Sequence, residues 1–266
     1  MKRAISILLV LGLLAWSGAT MADETATMDF STTKDTVVSN YSTEQLWGAG
    51  GAGHGRGGKH DNRSLYDWDI PAIQTWIDAQ GIPGDYYPVF EFVVQVRTAF
   101  DTSVLVNTIN SSNDWTEGDG PHSFTNFDWT QGLTAATYSY AQTAYTGTSP
   151  KVLDVGNTVA WTRPSDSTDV NFWSLTPDFT NIAPLTVTAG DADTDISVVL
   201  DYALTQDLLT NANNRGLYLS RNPSDSSTNW RVYFREQSTP PDPRLRVSFS
   251  NVPLDYVWTG GTGNWS

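Results

Sequence analysis

The sequence predicts an all-β protein, an antiparallel β-sandwich of jelly-roll type carrying one short helix. Three observations predict it. Period-two alternation runs from Pro88 to Arg97, with Phe90, Phe92, Val94 and Val96 on one face and Glu91, Val93, Gln95 and Arg97 on the wetter one. Shorter alternations recur at Leu217 with Leu219, Val232 with Phe234, and Leu245 with Val247 and Phe249, separated by Gly, Pro and Asn clusters. A single segment loses alternation: Leu200, Leu204 and Leu208 stand four residues apart, which suits a short helix beginning near Asp201.

In chain order, Lys2 and Arg3 precede an apolar run from Ile5 to Trp16 and the small residues Ser17, Gly18 and Ala19. That order predicts a secretory signal peptide over 1–22, cut after Ala19 or Ala22, because the run is shorter than the roughly 18 residues of a membrane span. The mature chain is therefore expected outside the cell or on its surface, with no membrane insertion after cleavage. One sandwich domain is expected over 23–250. Thr36 to Ser39 reads as its first strand, since β-branched residues suit a pleated surface. Gly48 to Gly58 carries too few side chains to pack and is expected to be a surface loop. Ser64 to Ile70 resumes a strand, and Ala72 to Ala79 offers at most a turn. Ser111 to Pro164 is rich in Asp, Thr, Gly and Trp, which predicts loops and edge strands at one end of the sandwich.

The chain has no cysteine, so its stability must come from a core rather than from disulfides. Its formal charge of −14 argues against nucleic acid as a partner. Beyond the last strand, the tail 251–266 contains Val257-Trp258-Thr259-Gly260-Gly261-Thr262-Gly263-Asn264-Trp265-Ser266. It resembles the opening of units found in repetitive bacterial surface proteins, and so reads as the start of a truncated repeat region.

Several segments share an order with a known family. Asn62-Arg63-Ser64-Leu65-Tyr66-Asp67-Trp68-Asp69-Ile70-Pro71 is followed by the Phe90 to Arg97 strand and by Asp114-Trp115-Thr116-Glu117-Gly118. Val199-Leu200-Asp201, Asn213-Asn214-Arg215-Gly216-Leu217-Tyr218-Leu219, Tyr233-Phe234-Arg235-Glu236 and Pro243-Arg244-Leu245-Arg246-Val247 then succeed one another. The set resembles the DNRLRE-domain family, also described as carbohydrate-binding module family 96, from about Asp35 to Phe249. The resemblance implies an extracellular β-sandwich attached to polysaccharide-active or surface proteins, with alginate-like acidic glycans among its ligands. The chain departs from the family at Tyr66-Asp67-Trp68 and in its Gly-rich segment, which leaves the ligand open.

Alternation places Arg231, Tyr233 and Arg235 on one face of a strand and Arg244 and Arg246 on one face of the last. Were the two strands neighbours, a basic strip with a central ring would result, suited to uronate carboxylates and a sugar face. The competing reading is outward arginines paired with Asp and Glu. A second basic group, His54, Arg56, Lys59, His60 and Arg63, lies around the Gly-rich segment and suits an anionic glycan, a transition metal, or no ligand at all. Asp191, Asp193 and Asp195 alternate as calcium-loop carboxylates can, but Ile196 and Tyr202 stand where an EF-hand needs Gly and Glu. A structural calcium and a plain solvated turn both stay open there; no other cofactor is expected.

Trp68, flanked by strand residues, is expected in the core, whereas Trp115, Trp129 and Trp161 sit among polar residues as candidate stacking platforms. Asp114 and Glu117 flank Trp115, yet two acids three positions apart do not make a glycosidase pair. His122 belongs to a Gly-Pro-His-Ser turn, and nothing marks it as part of a triad. No nucleophile elbow, zinc-protease motif or phosphate loop is present. The sequence thus reads as a non-catalytic carbohydrate-binding module for an acidic polysaccharide. A structural or adhesive surface domain is the alternative, and a polysaccharide lyase or hydrolase acting near Trp115 the second.

Overall fold

The computed structural model describes residues 26–39, 49–50, 52–55, 62–98, 102–118, 121–122, 134–136, 140–146, 152–161, 185–187, 191–221, 230–235 and 242–251. The signal segment 1–22, most of the tail, and Arg56, Lys59, His60 and Trp129 lie outside them. Strands are numbered in chain order. β6 (Tyr87–Thr98) is the spine of the first sheet. β17 (Arg244–Ser250) pairs with its Tyr87 to Val93 stretch and β16 (Trp230–Tyr233) with Val96 and Thr98, so these two strands follow each other along β6. β14 (Asp195–Val199) pairs with Glu91 to Gln95, while β1 (Met28–Ser31) and β4 (Ala52–Gly55) extend the sheet beyond β17 and β16. The second sheet has the order β13 (Leu185–Val187), β7 (Thr102–Asn110), β15 (Asn214–Arg221), β5 (Asn62–Asp67) and β2 (Lys34–Ser39). Every pairing within the two sheets is antiparallel.

The two sheets face each other across one core, as the alternation requires. Phe90, Phe92, Val94, Val96, Val232, Leu245 and Val247 of the first meet Val37, Tyr66, Val104, Val106, Leu217 and Leu219 of the second. Burying such a side chain contributes about 1.5–3 kcal/mol, which is how a chain without disulfides holds this fold. The expected all-β antiparallel sandwich is therefore what forms.

Four local expectations are corrected. The described residues carry two α-helices, not one: besides α2 (Tyr202–Thr210), which begins after Asp201 as expected, Ile70–Ala79 forms α1 rather than a strand end and a turn. Asp69 caps α1 by accepting a hydrogen bond from the Ala72 amide at 3.0 Å, and Pro71 occupies the first turn, where its missing N–H is harmless. Ile73 enters the core, and Trp76 packs between Phe30 and Phe249 at 5.8 and 5.6 Å. Ala52 to Gly55 of the Gly-rich segment is strand, because its pairing with β16 is made by backbone and needs no side chains. Ala49–Gly50, β3, likewise pairs in parallel with Pro121–His122, β8.

The stretch after β7 does not gather at one end of the sandwich. Its strands β9 (Thr134–Ala135), β10 (Tyr140–Thr146), β11 (Val152–Leu153) and β12 (Val159–Ala160) pair with one another. Ala136, Ala141, Trp115 and Trp161 from this stretch pack on Val38, Leu65, Ile109 and Tyr218, the outer face of the second sheet. Trp115 and Trp161 are thus only 1% and 6% exposed and are not the open platforms expected of them. The second sheet is buried on both faces, whereas the outer face of the first, among the described residues, is buried at Val93 and partly exposed at Glu91, Gln95 and Arg97.

Candidate functional site

The outer face of the first sheet carries four of the residues singled out from the sequence, Arg231, Tyr233, Arg244 and Arg246. Val232 points inward, so Arg231 and Tyr233 point outward, and the same parity sets Gln95 and Arg97 outward on β6 and Arg244 and Arg246 outward on β17. β16 and β17 are not side-by-side neighbours; β6 gathers their outward residues on one face. Arg97 was not among the sequence-level candidates, although alternation already set it on the wetter face.

Two environments divide this face. At the β17 end the arginines are matched by acids. Arg246 donates to Asp29 Oδ1 at 2.9 Å and to Glu91 Oε2 at 3.3 Å, and Arg244 to Asp29 Oδ2 at 3.1 Å and to Asp195. Burial acts to raise the Asp29 carboxyl, but the hydrogen bonds and charges of Arg246 and Arg244 outweigh it and hold Asp29 below the usual carboxylate range. For Arg244 and Arg246 the geometry is therefore that of the competing reading, outward arginines engaged by acids of neighbouring strands.

At the β16 end, Arg97 stands close to Arg231. The Arg97 guanidinium lies 5.8 Å from the Tyr233 ring centroid. Burial, and then the charge of Arg97, hold Arg231 below the usual guanidinium value. Tyr233 donates its hydroxyl to Asp193 Oδ1 at 3.0 Å, and Gln95 donates to the Asp193 carbonyl at 3.3 Å. Burial, then that hydrogen bond, pushes the Tyr233 phenol up. The ring is thus fixed in place by Asp193 beneath the Arg97 guanidinium, an arrangement that can receive a carboxylate and an apolar sugar face together.

Other sequence candidates fall elsewhere. Arg235 turns to Glu117 in a two-point ion pair, and its backbone amide donates to the buried Asp35 at 3.1 Å, so it ties the turn after β16 to the start of β2. Arg63 is buried against the Tyr218 ring at 5.3 Å, inside the second sheet's covered face rather than on a surface patch. Trp115 donates its indole N–H to the Arg215 carbonyl at 2.9 Å, a packing role. Asp114 is engaged by Lys34 at 2.7 Å and Glu117 by Arg235. Asp191, Asp193 and Asp195 do not converge: Asp193 accepts from Tyr233 and Asp195 from Arg244. Among the described residues, no group of three or more metal-ligating side chains assembles.

A cleft of about 460 Å³ opens between the two helices and the loop after β7, lined by Trp68, Pro71, Asp114, Leu209, Asn211 and Arg215. Its polar walls are committed to the fold, since Arg215 donates to the carbonyls of Ala212, Asn214 and Ser112. Exposed guanidinium and ring chemistry lies on the sheet, not in this cleft. No known protein-family model matches the chain, and no curated protein matches its sequence.

Proposed function

We propose that the chain is a non-catalytic extracellular carbohydrate-binding module whose ligand is an acidic polysaccharide, held on the open face of the first sheet by Arg97, Arg231 and Tyr233. The observation that carries this reading is the Arg97 guanidinium over the Tyr233 ring, with Arg231 close to Arg97, in a protein with a formal charge of −14. A uronate supplies a carboxylate for the guanidinium forks and a ring for Tyr233 to stack on. The site is preorganised, because Asp193 holds the phenol and Gln95 holds the Asp193 turn, so little side-chain entropy is lost on binding.

The secretory leader and the ordered resemblance to the DNRLRE family support the same reading. The commitment of Asp114 and Glu117 to Lys34 and Arg235 supports a binding rather than a hydrolytic role. Affinity electrophoresis through gels containing alginate, pectin or neutral glucan tests the proposal. The mature chain is retarded by an acidic polymer and not by glucan, and added salt weakens the retardation. Replacing Arg97 and Arg231 by Ala loses about 1.5–3 kcal/mol per charge-assisted contact, roughly 10- to 100-fold in affinity for each. Retention of binding in the double variant overturns the site. Absence of retardation in every acidic gel overturns the function and leaves the structural surface domain in its place.

A further inference from the structure

The opposite end of the same sheet face carries a second aromatic group. Tyr87 begins β6 with the outward parity of Glu91 and Arg97, and its ring meets that of Tyr202 edge-on at 5.7 Å. Tyr202, at the first turn of α2, is 43% exposed, and Val199, outward on β14 opposite Glu91, is 48% exposed. Strand positions directed at water do not need a valine, and an exposed tyrosine braced by a second ring is a flat apolar surface held in place.

Between this group and the Tyr233 end lies the band in which Asp29, Glu91 and Asp195 offset Arg244 and Arg246. Ser197 also donates to Glu91, which locks the band further. Tyr87 and Arg97 are ten residues apart on one strand, a distance of about 33 Å at the usual rise. That is longer than a sugar or a disaccharide, so an occupant that touches both ends is a polymer.

We infer that Tyr202, Tyr87 and Val199 form a second subsite, so that an extended acidic polysaccharide chain lies along β6, with its carboxylates at Arg97 and Arg231 and a sugar face on Tyr202. The inference rests on the function proposed above and adds the direction and length of the ligand. The middle band sets Asp29, Glu91 and Asp195 against Arg244 and Arg246, so it does not anchor a passing acidic chain, and the two ends act as linked contacts whose affinities multiply.

Titration calorimetry with alginate and polygalacturonate oligosaccharides of graded length tests it on the mature chain. Affinity rises in a step once the oligosaccharide spans both ends. Tyr202→Ala removes the step and lowers long-chain affinity about tenfold while leaving short-oligosaccharide affinity unchanged, and Tyr202→Trp restores the step. If wild-type protein binds and Tyr202→Ala leaves the length dependence intact, the second subsite is wrong and the Tyr233 site stands. If wild-type protein binds neither oligosaccharide series, the proposed function falls and this inference with it.

Discussion

Gly216 adopts φ +99° in β15, and a Cβ placed there would lie 1.9 Å from the Tyr66 carbonyl oxygen and 2.9 Å from its carbon. Backbone cannot yield as a flexible side chain can, so the position demands glycine for both its torsion and its space. Its neighbours show what the residue serves. Asn214 accepts from the Gly216 amide at 2.7 Å, and Asp207 receives both Asn211 and Asn214. Arg215 then closes over three carbonyl groups, so the Asn-Arg-Gly run is the irregular start of β15, where its register with β7 shifts before the strand runs on between β5 and β7. Gly216→Ala is expected to lower stability by about 3 kcal/mol or more, read as a lower urea midpoint. A change below about 0.5 kcal/mol would show that β5 and β15 can separate at this point without loss.

At the scale of elements, β1, β17, β6 and β14 are bound across their outer face by carboxylates and guanidinium groups as well as by backbone. Asp29 is the shared acid, touching both Arg244 and Arg246. Because its folded pKa is depressed, the stability it supplies is present above its ordinary value of 3.8 and is lost as pH falls below that value through the folded one. Thermal melts between pH 5 and 2 therefore show an acid-dependent loss that Asp29→Asn reduces, while the variant is less stable than wild type at neutral pH. Equal pH dependence of the two proteins would mean that the acids of this face act independently of Asp29. Alternation alone was enough to turn these arginines outward, but their partners could not be read from the chain, since Asp29 and Arg244 are 215 residues apart. α1 was missed for a different reason. The cap and proline at Asp69 and Pro71 are legible helix signals, yet the aromatic run Leu65 to Trp68 just before them reads as strand and obscures where the strand stops.

Across the whole molecule the layers are unequally covered, and this asymmetry is what leaves a face available for a ligand. The second sheet is enclosed between the first sheet and the strands β9 to β12, so Tyr218 and Leu65 are buried on the side that a two-layer sandwich would leave wet. The residues proposed to bind glycan, Arg97, Arg231 and Tyr233, accordingly stand on the first sheet. That distribution was not visible in the sequence, because Trp115 and Trp161 sit among polar residues and only their packing on Ile109 and Tyr218 reveals them as core. Trp115 is the residue that fastens the outer layer, through its ring and through its hydrogen bond to the Arg215 carbonyl. Trp115→Ala is expected to cost about 3–5 kcal/mol, the range for removing a large buried aromatic. Hydrogen exchange separates this from a uniform weakening: amides of β10 lose protection first, while those of β6 keep theirs until global unfolding. If the variant loses less than about 1 kcal/mol and β10 exchanges as in wild type, the outer strands are an attachment to a two-layer sandwich rather than part of its core. The Arg97 and Tyr233 face lies on the far side of the first sheet, so the glycan affinity proposed for it, measured in the same variant below its melting temperature, is expected to remain at the wild-type level.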